Sequence, residues 1–236
     1  MAWGGRRVST ALALIALGAA GAGGAGLALR GCGADPPHRP IVLSTFGVSF
    51  TVAPGESEVV GPADGQLLRY QVAVEQGLTE SPADVAATVE AVLGDQRRGW
   101  LRSGTWRFQR VSSGPYDFVV ELASAATTDH ICGEYGIQTE GQVSCRGQQN
   151  VVINEVRWAR GTNGTTEGAV RYAPADYRIL VINHEVGHAL GFDHVRCPGA
   201  GRPAPVMMAQ YYGVEGCTPN VWPYAADGTH LTGPPA

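Results

Sequence analysis

Residues 174–194 read PADYRILVINHEVGHALGFDH, and this stretch holds three of the six histidines of the chain. A proline at its first position, an acid in its first turn and Gly191 near its end predict a helix over Pro174–Leu190. His184 and His188 are four residues apart, so both imidazoles project from one face of that helix. The stretch therefore predicts a pair of metal-ligating imidazoles late in a well-defined helix.

The spacing of Gly191 and His194 after His188 is typical of a zinc site that keeps one coordination position open. Gly191 tolerates a left-handed backbone, so it can end the helix and let the chain return with His194 to the same ion. A catalytic zinc takes three protein ligands and keeps one position for water or substrate. We therefore expect His184, His188 and His194 to bind Zn²⁺, and Glu185 to act as general base on zinc-bound water.

One alternative keeps the metal and changes its third ligand. A downstream acid such as Glu215 would complete the site, and His194 would be idle. The other three histidines are expected to have no role in the site, because His38 lies in a proline-rich linker, His130 in a loop and His230 in the C-terminal tail.

The motif H-E-x-x-H-x-x-G-x-x-H at residues 184–194 resembles that of the metzincin zinc metallopeptidases. The resemblance implies an α+β fold, in which a twisted mixed sheet with a helix is followed by the zinc-binding helix and an irregular C-terminal lobe. It also implies a methionine turn beneath the metal, for which we expect Met207, with Met208 as the alternative. Some metzincins carry a tyrosine two residues after that methionine, whereas Tyr211 and Tyr212 here come four and five residues after Met207.

Other segments are similar to those of a set of exported bacterial metzincin-like proteins. The similar segments are the apolar N-terminus and the stretches CGE (132–134), SCR (144–146), VVIN (151–154) and PVMM (205–208). This likeness supports the metzincin interpretation and specifies no substrate.

The pattern upstream of the motif predicts mostly strands. Proline, glycine and serine clusters separate the short β-prone pieces, and Ser81-Pro82 begins a helix whose valines recur on one face. The predicted elements are strands at Ile41–Thr45, Gly47–Val52 and Leu67–Val74, a helix at Pro82–Leu93, a hairpin of Trp106–Val111 with Tyr116–Leu122, a loop at Cys132–Gln149 and a strand at Asn150–Trp158.

The N-terminus has the features of an export signal. Arg6 and Arg7 precede an uncharged run over Val8–Leu29, which is long enough to span a bilayer. Cleavage after residues 20–22 (AGA), or lipidation of Cys32, are the alternatives to a retained anchor. We therefore expect residues 1–32 to be a signal or anchor segment, 33–40 a linker, and 41–236 a catalytic domain with an upper lobe to about 191 and a lower lobe over 192–236. Whether the segment is retained as an anchor, cleaved so that the protein is secreted, or lipidated at Cys32, the domain is expected to lie outside the cytoplasm.

The cysteines agree with an exported domain. Apart from Cys32 there are four, and an even number in an exported domain indicates two disulfides. Four cysteines allow three connectivities, of which we favour the local one, Cys132–Cys145 and Cys197–Cys217. A structural zinc site is disfavoured because the chain has no C-x-x-C pair.

Composition limits the class of partner. The net charge is −4, which argues against a nucleic-acid binder, since these usually carry a basic patch. We therefore expect a monomeric zinc-dependent endopeptidase that acts on protein or peptide substrates outside the cytoplasm and contacts the membrane through its N-terminal segment. The alternative is a catalytically silent, zinc-containing binding module of the cell envelope.

Overall fold

Seven strands of the described residues pair into one mixed sheet. The computed structural model describes residues 40–162 and 170–236, so the N-terminal segment and nearly all of the linker lie outside the described residues. The order across the sheet is β1-β2-β3-β5-β7-β6, and β4 pairs with β3 off this path. The strands are β1 (Val42–Thr45), β2 (Val48–Val52), β3 (Gln66–Glu75), β4 (Trp106–Arg110), β5 (Phe118–Ala123), β6 (Cys145–Gly147) and β7 (Asn150–Asn154).

The centre of the sheet is parallel and its margins are antiparallel. The strands β3, β5 and β7 run parallel to one another, and β4 runs parallel to β3. At the margins, β1, β2 and β3 pair antiparallel, and so do β6 and β7. All six residues of β5 are buried, as expected for a central strand that is covered on both faces.

The predicted hairpin of Trp106–Val111 with Tyr116–Leu122 is wrong. Both strands form, as β4 and β5, but each pairs in parallel with β3 instead of with the other. The Val111 amide donates to the Tyr70 carbonyl (2.8 Å), and the Asp117 amide donates to the Arg69 carbonyl (2.7 Å). Because neighbouring carbonyls along a strand point to opposite sides, β4 and β5 lie on opposite sides of β3.

Two of the four helices in the described part of the chain have the predicted sequence signals at their starts. Helix α1 spans Pro82–Leu93, as predicted, and the Ser81 hydroxyl accepts from the Asp84 amide (3.5 Å). Helix α4 spans Pro174–Ala189, one residue shorter than predicted. Both helices pack on one face of the sheet, where their valines and isoleucines meet alternate residues of β3, β5 and β7.

The other two helices were not predicted. Helix α2 (Ala125–Glu134) begins before, and ends within, the segment predicted to be a loop, and it buries only four of its residues. Helix α3 (Glu155–Arg160) replaces the second half of the strand predicted at Asn150–Trp158. The cause is Asn154, whose side-chain oxygen accepts from the Val156 amide (3.0 Å) and so caps a new helix directly after β7.

Helix α2 covers the second face of the sheet. Ile131 and Cys132 pack there against alternate residues of β2, β5 and β7, among them Phe50, Val119 and Val152. The disulfide Cys132–Cys145 joins α2 to β6, with Cα atoms 6.1 Å apart. The fold thus belongs to the predicted α+β class, with helices on both faces of a mixed sheet.

The C-terminal region, residues 192–236, is irregular, as predicted. Its longest helical element is a 3₁₀ turn at Gln210–Tyr212. The disulfide Cys197–Cys217 closes a loop within it, so both predicted disulfides are confirmed. Within residues 40–162 and 170–236 there is no helix both long and apolar enough to cross a membrane.

Candidate metal centre

Three histidine nitrogens converge at the end of α4. The Nε2 atoms of His184 and His188 are 3.2 Å apart, and each lies 3.1 Å from Nε2 of His194. Within the described residues, this triad is the one group of three or more histidine, cysteine, aspartate or glutamate side chains placed to hold a metal ion together. The three predicted ligands are therefore brought to one point by the fold.

The turn after α4 brings His194 back to the helix. Gly191 has φ 93°, in the left-handed region. The Phe192 amide donates to the Gly187 carbonyl (3.0 Å), and the Gly191 amide donates to the His188 carbonyl (3.1 Å). These two bonds form a Schellman motif, in which a residue without Cβ is strongly favoured at the left-handed position. The predicted role of Gly191 agrees with this geometry.

Backbone carbonyls fix the orientation of two of the rings. Nδ1 of His184 lies 2.7 Å from the Val206 carbonyl, and Nδ1 of His188 lies 2.8 Å from the Phe192 carbonyl. A carbonyl only accepts, so each Nδ1 carries the proton and each Nε2 presents a lone pair to the centre of the triad. Such partners on the outer nitrogen are the usual support of metal-ligating histidines.

Burial keeps these imidazoles neutral. Burial and the neighbouring His188 together lower the pKa of His184 to about 3. Burial also lowers the pKa of His188 and of His194. The neutral ring is the form that binds a metal ion, so near neutral pH the triad consists of three ready ligands.

The donor set fits zinc. Nitrogens bound to a tetrahedral zinc ion at about 2.0–2.1 Å lie about 3.3 Å from one another. The separations of 3.1 and 3.2 Å in the triad are close to that value. Three imidazoles leave a fourth position open, and the triad lines a cleft from which water or a substrate group could reach that position.

Glu185 lies beside the triad at the wall of the same cleft. Its side chain is only 5 % exposed, and burial raises its pKa to about 8. A cation held by the triad would favour the carboxylate form of Glu185, which is the form that accepts a proton. Glu185 thus lies where the sequence predicts a general base.

Met207 lies directly beneath helix α4. A Cβ on Gly187 would overlap the Met207 sulfur and would lie 2.8 Å from a ring carbon of Trp100. The Met207 carbonyl also accepts from the Val195 amide (3.2 Å), next to His194. Met208 packs with Ala204 and Cys217 and also lines the cleft beside the triad. Of the two candidates for the methionine turn, Met207 is the one that packs against Gly187 of α4.

Trp100 packs against α4 at Gly187, next to Met207, and was not recognised in the sequence. Its indole N–H donates to the Asn183 carbonyl (3.0 Å), and its ring stacks on Phe192 with centroids 4.7 Å apart. It therefore contacts α4 just before His184 and the turn just before His194. Its sequence position, some 80 residues upstream, gives no sign of this role.

The cleft has a volume of about 440 Å³ and is bounded by β6, α4 and the C-terminal region. Arg146 of β6 lines the cleft together with the triad, and Tyr211 and Tyr212 line it from the C-terminal region. The Tyr211 hydroxyl lies 2.7 Å from a guanidinium nitrogen of Arg157 and 3.2 Å from the Gln142 side-chain oxygen. These bonds connect the C-terminal region to α3 and to the segment that precedes β6.

The other candidate ligands lie apart from the triad. Glu215 forms an ion pair with Arg196 (2.8 Å), so the alternative third ligand is engaged elsewhere. His130 contacts the Phe46 carbonyl (3.1 Å), and His230 packs between Trp100 and Tyr224. His38 lies outside the described residues.

Comparison with known proteins identifies a family and no function. A family model described as "Protein of unknown function (DUF3152)" matches residues 43–219, which include the triad, Glu185 and Met207. The searches of curated proteins and of solved structures found no match. Since the match covers most of the 236 residues, the chain belongs to the DUF3152 family.

Proposed function

We propose that this protein is a zinc-dependent endopeptidase of the metzincin type. The observation that carries the proposal is the convergence of three neutral imidazoles at 3.1–3.2 Å with the buried carboxyl group of Glu185 beside them. A mixed sheet, a zinc-binding helix ended by a glycine turn, and a methionine under that helix support the metzincin assignment.

The residues would divide the chemistry between them. His184, His188 and His194 would hold the ion, and zinc, when bound, supplies a Lewis acid that polarises the scissile carbonyl and makes water more acidic. Glu185 takes a proton from the attacking water and delivers it to the leaving amine. The carbonyls of Val206 and Phe192 hold two of the rings in the tautomer that this arrangement needs.

The substrate would lie extended along β6. This strand is the last in the sheet order and lines the cleft, so its outer edge is available to an added strand. The neighbour of β6 in the sheet is the strand that begins at Asn150. That strand, β7, lies between β5 and β6 and therefore has no free edge. Main-chain pairing along β6 would bind peptides largely independently of their sequence.

The two disulfides support a location outside the cytoplasm. Both disulfides lie in or beside the site, one at β6 and one after His194. Disulfides persist outside the reducing cytoplasm, which supports an extracytoplasmic protein. We therefore propose that the substrates are proteins or peptides of the cell envelope or the medium.

Replacing the base tests the proposal. In Glu185→Gln, bound zinc stays at one ion per chain, because Glu185 is not a ligand. Cleavage of a mixed peptide library falls by about 10²–10⁴-fold, the usual contribution of a general base. Metal analysis and mass spectrometry of the library measure the two quantities. The control is Glu215→Gln, which removes an exposed carboxylate and leaves both unchanged.

The same experiment decides between an enzyme and a binding module. Cleavage by Glu185→Gln at the wild-type rate would contradict the mechanism. A wild-type protein that binds one zinc ion and cleaves no member of the library would be the catalytically silent module of the alternative hypothesis.

A further inference from the structure

Arg146 projects into the cleft from the strand along which we expect substrate to bind. Its neighbours in β6 both face α2, because Cys145 is bonded to Cys132 and a Cβ on Gly147 would overlap the Tyr135 ring. Side chains alternate along a strand, so Arg146 faces the opposite side, toward α4. Its presence among the residues that line the cleft agrees with this orientation.

No carboxylate of the described chain pairs with Arg146. The two ion pairs among residues 40–162 and 170–236 join other arginines, Arg110 with Glu90 and Arg196 with Glu215. Nε of Arg146 is buried and has no hydrogen-bond partner in the described chain. A buried donor without a partner costs free energy, so a ligand that accepts from it is bound more tightly than one that does not.

The guanidinium is close enough to the triad to act on the same substrate. Arg146 and the three histidines of the triad line the same cleft. Among the residues that line the cleft, Arg146 is the one lysine or arginine. An anionic group of a bound peptide would therefore meet one fixed positive charge beside the reacting bond.

We propose that Arg146 binds a carboxylate of the peptide close to the scissile bond, so that the site selects acidic substrates. Arginine presents parallel N–H donors that match the two oxygens of a carboxylate, which gives geometric as well as electrostatic selectivity. This inference rests on the proposed function and defines its substrate class. The carboxylate has two possible sources, an Asp or Glu side chain and a free C-terminus.

Matched peptides distinguish these sources. The two peptides of the first pair are blocked at both ends and differ at one residue next to the cleaved bond, which is Glu in one peptide and Gln in the other. The comparison is made first for the residue before the cleaved bond and then for the residue after it. A second pair has Gln at both places and a free or amidated C-terminus. For the wild type, kcat/KM is expected to be about tenfold or more higher for the anionic member of one pair, as for other charge-assisted hydrogen bonds.

Variants of Arg146 test the residue itself. In Arg146→Gln, the ratio of kcat/KM between anionic and neutral peptides falls to about one, and Arg146→Lys retains part of it because the charge remains. Arg97→Gln removes an exposed arginine outside the cleft and keeps the wild-type ratio. A wild-type protein without preference in either pair, or a preference unchanged in Arg146→Gln, would overturn the inference.

A binding measurement separates this inference from the proposed function. Zinc-loaded Glu185→Gln is titrated with the same fluorescently labelled peptides, and anisotropy gives Kd without turnover. Tighter binding of the anionic peptides, abolished when Arg146→Gln is added, supports the role of Arg146 even if the wild type cleaves no peptide. Cleavage by the wild type with equal Kd for both members of each pair supports the peptidase and rejects the role of Arg146. Arg146→Lys gives the decisive comparison should Arg146→Gln not fold.

Discussion

Each ring of the triad is prepared for its role by its immediate surroundings. His184 and His188 donate through Nδ1 to carbonyls at 2.7 and 2.8 Å, so their Nε2 lone pairs point inward before any ion arrives. His194 is the most exposed of the three and instead is positioned by its backbone, whose neighbour Val195 donates to the Met207 carbonyl. The exposed ring is thus the ligand whose loss disturbs the fold least.

We predict that His194→Ala loses zinc and remains folded. Two imidazoles alone hold zinc weakly, because structural and catalytic sites need at least three protein ligands. Metal analysis after dialysis measures the loss, and circular dichroism measures the fold. Glu215→Ala, which breaks only the exposed ion pair with Arg196, should keep its zinc. Retention of zinc by His194→Ala together with its loss from Glu215→Ala would reverse the ligand assignment.

Glu121 makes stability depend on pH. It is fully buried on the α2 face of the sheet, where the Thr45 hydroxyl and the Asn150 side-chain amide (3.0 Å) donate to it. Burial raises its pKa from 4.5 to about 7, so the folded state binds this proton more tightly than the unfolded chain does. Its stabilising contribution is therefore complete below pH 4.5 and is lost as the pH rises through 7.

We predict that Glu121→Gln flattens this part of the pH profile. The loss for the wild type between acid and alkaline pH is about 3 kcal/mol of unfolding free energy, and the amide of the variant cannot titrate. Urea unfolding of both proteins between about pH 4.5 and 8.5 measures this loss, because the range spans the pKa of Glu121 in the unfolded and in the folded state. The difference between the two curves isolates this carboxyl from all others. Parallel curves across the range would mean that the carboxyl is not the titrating group.

At the scale of elements, the residues that start and end helices could be identified in the sequence, whereas the partner of each strand could not. The start of α1 is determined by Ser81 and Pro82, and the end of α4 by Gly191, all of which act locally. The partner of β4 and of β5 is β3, far away in sequence, and no local pattern distinguishes this from a hairpin. Likewise, the start of α3 depends on one cap, Asn154, in a segment whose valines and isoleucine are typical of a strand.

We predict that Gly191→Ala weakens zinc binding as well as stability. A left-handed residue with a Cβ costs about 1–2 kcal/mol, and relief of that strain would move His194. Gly77→Ala is a matched control, because φ is 101° at Gly77 and 93° at Gly191, and a Cβ at either meets no atom within 4 Å. Chemical unfolding and zinc titration should show similar destabilisation in both variants and weaker zinc binding only in Gly191→Ala.

The disulfide Cys132–Cys145 holds the edge strand β6 on α2. We predict that replacing both cysteines by alanine lowers the unfolding free energy by about 3 kcal/mol and raises KM for peptides, because β6 loses its anchor. Replacing Cys197 and Cys217, which close a loop after His194, should cost a similar amount without loosening β6. Equal KM values in both double variants would show that β6 does not need the bond to bind peptides.

At the scale of the whole molecule, a metal ion at the triad would join α4 to the irregular C-terminal region. Two ligands come from α4 and the third from the segment that follows it, and Val206 and Met207 of the same region contact α4. The sequence predicted these ligands because they are close along the chain. Arg146, Tyr211 and Trp100 could not be assigned, because only the folded chain brings the first two to the cleft and Trp100 to α4.

We predict that zinc stabilises the whole described domain. An ion that binds only the folded state at 100 times its Kd adds about 2.7 kcal/mol, which corresponds to about 5–10 °C in Tm for a domain of this size. Differential scanning calorimetry with excess zinc and with a chelator measures the shift. The triple variant His184→Ala, His188→Ala, His194→Ala is the control and should show none. An equal shift in that variant would place the stabilising zinc elsewhere.

The position of Trp100 also makes its intrinsic fluorescence a measure of metal binding at the triad. Its indole donates to the Asn183 carbonyl, next to His184, and stacks on the Phe192 ring, so any tightening of the turn after α4 changes its surroundings. Emission from Trp100, isolated by converting the other tryptophans to phenylalanine, would follow metal loading in real time. Such a signal needs no peptide and no label, and it would give the rates of ion capture and release in the intact protein.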